Sequence, residues 1–155
     1  MHPIKFIRKR LVQVLKGAEI TVGINGRDVC LKVFDQPPSG GEIPERNLPG
    51  LFCFAQDERR RKMDLDTIER VVVFDLLVEA KSYGEEPLDT VDDIYLQVES
   101  ALVSFKPRPD EQLKISVLGS KINVAQGEVK FAARRISCEV TFRHSAEQVA
   151  ILLPL

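Results

Sequence analysis

Apolar residues recur at spacings of three and four near the start of the chain, where Ile4, Ile7, Leu11, Val14 and Leu15 share one helical face. That spacing predicts an amphipathic helix over about 3–16. Pro3 suits its first turn, where a missing N–H costs nothing, and Gly17 suits the left-handed residue after its end. The period then changes to two. Ile20, Val22 and Ile24 alternate, Asn25-Gly26 follows, and Val29, Leu31 and Val33 alternate again. Asn-Gly readily supplies the positive φ angles of a type I′ turn, so a hairpin is expected. From 35 to 50 the chain holds four prolines and three glycines, which predicts a long loop of the kind that is usually functional.

Leu51–Ala55 reads as a short apolar strand, 57–62 as a charged turn, and about 67–80 as the longest strand. Its centre, Val71-Val72-Val73-Phe74, is apolar without alternation, which implies cover on both faces for part of its length. Leu88, Val91, Ile94, Val98, Leu102 and Phe105 restore the helical period over about 88–105, and Lys106-Pro107-Arg108-Pro109 ends it. Strands are expected at about 114–118, 122–124 and 134–144. In the last, Ile136, Cys138, Val140 and Phe142 face one side, while Ser137, Glu139, Thr141 and Arg143 face the other. Such alternation belongs to a sheet with one dry and one wet face. Helix, strands, helix and strands, with no βαβ repetition, predict an α+β fold: a largely antiparallel sheet with two helices packed on one face.

Composition changes this picture little. The 155 residues are 44% hydrophobic and 29% charged, ordinary values for a packed domain, and a single domain over 1–155 is expected. The net charge of −1 favours no general attraction to nucleic acid or anionic lipid. Its distribution is uneven, however. Residues 1–17 carry Lys5, Arg8, Lys9, Arg10 and Lys16 with no acid, and residues 85–99 carry six acids with no base. The N-terminal apolar runs are too short for a signal-peptide core, and Val149–Leu155 is far shorter than the ~20 residues of a spanning helix. Cys30, Cys53 and Cys138 show no C-x-x-C pairing and read as buried free thiols in a reducing compartment.

Residues in catalytic constellations are few. His2 and His144 are the only histidines and read as terminal or surface residues. There is no G-x-S-x-G, P-loop or G-x-G-x-x-G motif, and Gly40-Gly41 lies in a proline-rich stretch instead of between a strand and a helix. Asp89, Asp92 and Asp93 lie within little more than one helical turn and complement the positive end of the helix dipole. Asp64-Leu65-Asp66 lacks the acid-and-glycine spacing of a calcium loop. No metal site, catalytic residue or cofactor is expected. Arg59-Arg60-Arg61-Lys62 is the one basic run. It reads as an exposed hairpin tip, with contact to an acidic protein surface or to phosphates as the functional alternatives. Flanking acids and the absence of an interleaved aromatic weigh against nucleic acid.

The order of segments resembles the tail terminators of long-tailed phages and prophages, the minor tail protein U class. The matching pieces are the helix Ile4–Leu15, Asn25-Gly26-Arg27, and Leu48-Pro49-Gly50-Leu51-Phe52-Cys53-Phe54. They continue with the polar segment 56–66, Arg70–Glu79, the acidic helix near Leu88–Leu102, and Ala133–Phe142. The likeness is one of pattern over most of 1–144, without a signature string. Loop 35–50 and the C-terminal extension 145–155 are longer than the minimal pattern.

This resemblance implies a non-enzymatic structural protein that forms a ring, commonly a hexamer, on the last ring of a growing tail tube. The ring stops polymerisation and offers a surface to the head or its connector. The implied partners are other copies of the chain, a tail tube protein and a head–tail connector protein, with no membrane and no specific nucleic acid. The implied setting is the bacterial host cytoplasm during assembly, and then the virion tail. A neck, head-completion or tail tube protein of related fold remains an alternative. So does a small nucleic-acid-binding module using 59–62.

Overall fold

The computed structural model describes residues 2–36, 47–81, 87–109, 111–125 and 131–145. The chain runs α1 (Pro3–Gly17), β1 (Thr21–Ile24), β2 (Arg27–Cys30), β3 (Lys32–Phe34), β4 (Gly50–Lys62) and β5 (Thr67–Lys81). It continues through α2 (Pro87–Val103), β6 (Leu113–Ala125) and β7 (Phe131–Ser145). Most of the expected long loop, 37–46, and the C-terminal extension from 146 onward lie outside the described residues. The fold is α+β. Five strands form one sheet in the order β3-β4-β5-β7-β6, with only the short β3–β4 pair parallel, and β1–β2 form a separate hairpin.

Local chemistry accounts for most of these boundaries. In α1, Pro3 occupies the first turn, and His2 caps it by accepting the Ile4 N–H on Nδ1 at 3.2 Å. Phe6, Ile7, Leu11, Val12 and Leu15 are buried, while Ile4 and Val14 lie at the margins of that face. Asn25 and Gly26 take φ of 52° and 74°, the two positive values that a type I′ turn needs.

The expected strand through Val29, Leu31 and Val33 is split. The Leu31 N–H turns back to the Ile20 carbonyl at 2.8 Å, and 32–34 leave to pair in parallel with 50–52. The charged turn expected at 57–62 is also corrected: these residues are strand, paired from Asp57↔Val73 to Lys62↔Ile68, and the turn is 63–66. The two short strands expected at 114–118 and 122–124 are one strand, β6. It bends at a bulge that leaves Leu118 unpaired, beside Gly119 at φ 155°.

Facing across β5 and β7 fixes the core. Val72↔Val140, Phe74↔Cys138 and Leu76↔Ile136 stand on one face, and each of these side chains is fully buried. Onto that face α1 packs over β3 and β4, and α2 packs over β5, β7 and β6. The even-numbered positions of both strands therefore meet helices. The odd-numbered ones face away and are half-buried in the Val71–Val73 stretch.

Gln97 ties α2 to the hairpin: its amide donates to the Thr21 carbonyl at 2.7 Å and accepts the Thr21 N–H at 3.3 Å. Cys53 and Cys138 are buried in the core, as expected. Burial pushes the Cys138 thiol up to about 12 and raises that of Cys53 further. Cys30 departs from expectation, for it stands exposed on β2.

This facing generates a paired prediction. Val140→Asp places a charge on the buried face, at a cost of several kcal/mol, and should abolish soluble expression. Thr141→Asp points to the open face and should express and melt like the parent. Soluble yield and thermal melting of the two variants check it.

Candidate protein-contact surface

The β4–β5 hairpin ends in the turn 63–66, and this end, the arm, is three strands wide, because β7 stays paired with β5 as far as Thr67↔Ser145. The turn is built by one carboxylate. Asp64 Oδ1 accepts the N–H groups of Asp66 and Thr67, both at 2.8 Å, and the Met63 N–H donates to the Thr67 carbonyl at 2.9 Å. The bond from the Asp66 N–H, with that from Thr67, holds the Asp64 carboxyl below its ordinary value. Leu65 is left at the apex, 83% exposed, with Met63 beside it. Asp64 thus spends its oxygen on its own backbone. Among the described residues no group of three or more His, Cys, Asp or Glu could hold a metal ion.

The basic run alternates across this arm. Arg59 and Arg61 stand on the helix-free face, where they meet Glu139 at 3.8 Å and Glu69 at 3.4 Å; Arg143 shares Glu69 at 3.1 Å. Both arginines remain about 70% exposed. Screening by water makes such pairs weak, so they orient the side chains more than they stabilise the fold. Arg60 and Lys62 stand on the other face, exposed, with no ion-pair or hydrogen-bond partner among the described residues. The structure therefore gathers the four sequence-selected residues in one place but divides them between two faces.

Two features of this region were not expected from the sequence. The sequence pattern places His144 at the surface, but it is buried against Phe142, and its Nε2 accepts from Arg70 Nε at 2.9 Å. Nδ1 is 2.9 Å from the Ser145 carbonyl, so it carries the proton and donates there. Arg70 also pairs with Glu58 across β4 and β5. These groups knit β4, β5 and β7 together at the root of the arm on the helix-side face. On the helix-free face Asp75 is 4% exposed. It accepts from Gln56, the bulge residue of β4, and from Ser137, both at 2.8 Å, and pairs with Arg135 at 3.5 Å. These residues and Lys121 line an open cleft of about 610 Å³. Beside it Phe52, Phe54, Leu48, Leu77 and Phe34 form a satellite cluster. The sequence signal for Asp75 was a lone acid inside an apolar run.

Compared with known proteins, the chain matches no family model and no curated relative.

The turn yields a test of its own. Because the Asp64 carboxyl is depressed in the folded chain, its contribution is complete above the unfolded carboxylate range. It is lost as pH falls through the lower folded value. An NMR titration should place the Asp64 midpoint below that of an ordinary aspartate. Asp64→Ala should release the Asp66 and Thr67 amides to fast exchange, while Asp64→Asn, which keeps an acceptor oxygen, should hold them.

Proposed function

We propose that this chain is a structural phage tail-assembly protein of the tail-terminator type. Several copies, commonly six in that family, form a ring on the end of a growing tail tube, stop its polymerisation, and offer a surface to the head or its connector. The chain acts by binding, with no catalytic residue and no cofactor, in the bacterial cytoplasm and then in the virion tail.

The observation that supports this reading best is the β4–β5 arm. A hairpin end knit together by Arg70–His144 and Arg70–Glu58, and closed by a turn that one carboxylate pins while Leu65 stands 83% exposed, is an ordered segment that presents an apolar side chain and a basic run to solvent. Binding residues concentrate where a rigid scaffold holds a projecting segment. The arm is suited to reach a protein surface outside the subunit that carries it. A tube subunit or neck protein of the same fold would use such an arm too. What separates them is growth, because a tube subunit propagates and a terminator stops after one ring.

Imaging and light scattering of the protein with and without its tube protein test this. Dilute protein should be monomeric or weakly associating, and rings should sit at tube ends. Filaments growing indefinitely from this protein alone would overturn the terminator role. Replacing Arg59, Arg60 and Arg61 together by Ser should change stability by no more than about 0.5 kcal/mol per site, since all three are exposed. The same variant should slow ring–tube association at low salt and leave tails overlong or headless, because rim charges act chiefly on encounter rate. Normal tails together with lost, salt-sensitive binding to double-stranded DNA would instead favour a phosphate-contacting role.

A further inference from the structure

The helix layer is electrically divided. Over the β3–β4 side of the sheet, α1 carries Lys5, Arg8, Lys9, Arg10 and Lys16 with no acid. Over the β5–β7–β6 side, α2 carries Asp89, Asp92, Asp93 and Glu99 with no base. The two helices touch, yet among the described residues no ion pair joins them. Arg10 turns to Glu111 at 3.1 Å and lies over the Phe105 ring. Lys9 turns to Asp35 at 3.2 Å, and Asp92 turns to Arg134. Each of these three charges is thus paired inside the subunit.

The outward stripes are left over. On α1 these are Lys5, Gln13 and Lys16, all exposed. On α2 they are Asp89, Asp93, Leu96, Ser100 and Val103, with Leu96 and Val103 68% and 72% exposed. Lys5, Lys16, Asp89 and Asp93 have no partner among the described residues. One stripe offers cations. The other offers anions over its first turns and an apolar body over its last.

We propose that these stripes are the two halves of a subunit–subunit contact, in which the basic face of α1 on one copy receives the acidic and apolar face of α2 on the next. The occupant is a second copy of this chain because both complementary surfaces are present on it. A net charge of −1 leaves little general repulsion to overcome. The two helices lie side by side on one face of the sheet, so the contact is heterologous where α1 of each copy meets α2 of a different neighbour, and it then leaves one free face of each kind at every step. Such a contact closes into a ring when its rotation allows. This inference rests on the ring reading and adds which faces meet.

Charge reversal tests it by sedimentation velocity on concentrated protein at low salt. The parent should assemble beyond two copies and dissociate as salt rises past ~0.1 M, where the screening length falls to ~10 Å. Lys5→Glu with Lys16→Glu should weaken association at least ~10-fold, and so should Asp89→Lys with Asp93→Lys, since each juxtaposes like charges. All four changes in one chain should restore it. Unchanged thermal melting of each variant shows that the fold is intact. If the parent forms rings and the reversals leave them unaltered, the α1–α2 contact is wrong while the ring reading stands. Association that stops at two copies overturns the head-to-tail polarity. A parent that never associates overturns the contact, and imaging at tube ends then decides the ring reading separately.

Discussion

Backbone pairing along β5 is the constraint on which the rest of the structure depends. Every residue from Thr67 to Lys81 has a partner in β7, and β4 pairs along the other side from Ile68 to Glu79. A strand held on both sides cannot slip, because a shift of one residue would turn Val72, Phe74 and Leu76 out of the core and Asp75 into it. Once that register is set, the even-numbered face of β5 and β7 becomes the floor onto which both helices must pack. The odd-numbered face is then left to stabilise itself with polar ladders. The Asp75–Gln56–Ser137–Arg135 cluster is the result: a buried carboxylate made tolerable by two hydrogen bonds and a cation.

The sequence was legible where one face is dry. Ile136, Cys138, Val140 and Phe142 alternate because the helices demand it, and all four are buried as their period predicts. The amphipathic helices were legible for the same reason. Legibility failed at the far end of the β4–β5 hairpin. From Asp57 to Lys62 both faces of β4 are wet, no apolar period survives, and charge density alone looks like a turn. It also failed at the bulges, where one extra residue at Gln56 and at Leu118 reverses the alternation in mid-strand. The split at Leu31 was hidden because alternation continues across a change of partner.

Long-range polar chemistry was illegible for a different reason. Arg70 and His144 are separated by 74 positions and Asp75 and Ser137 by 62, so no local pattern connects them. The basic run 59–62 was visible as composition, but its division between two faces was not. That division matters physically. Arg59 and Arg61 are partly neutralised by Glu139 and Glu69, which leaves Arg60 and Lys62 as the cations of the arm without a partner among the described residues. A continuous phosphate-contacting strip would need all four on one accessible side.

Two kinds of surface therefore remain after the fold has satisfied itself, and they are physically separate. The β4–β5 hairpin ends in a pinned turn with an exposed leucine, whereas the segregated charges of α1 and α2 lie on the helix layer. A subunit that grows a filament must present the same contact again at each step. A subunit that caps one needs lateral contacts to its own copies and a distinct axial contact to the structure below. On the proposed assignment the helix stripes supply the lateral contact and the arm supplies the axial one. Saturating the first would close a ring without recreating the second on its far side, and growth would stop for a geometric reason that requires no chemical step.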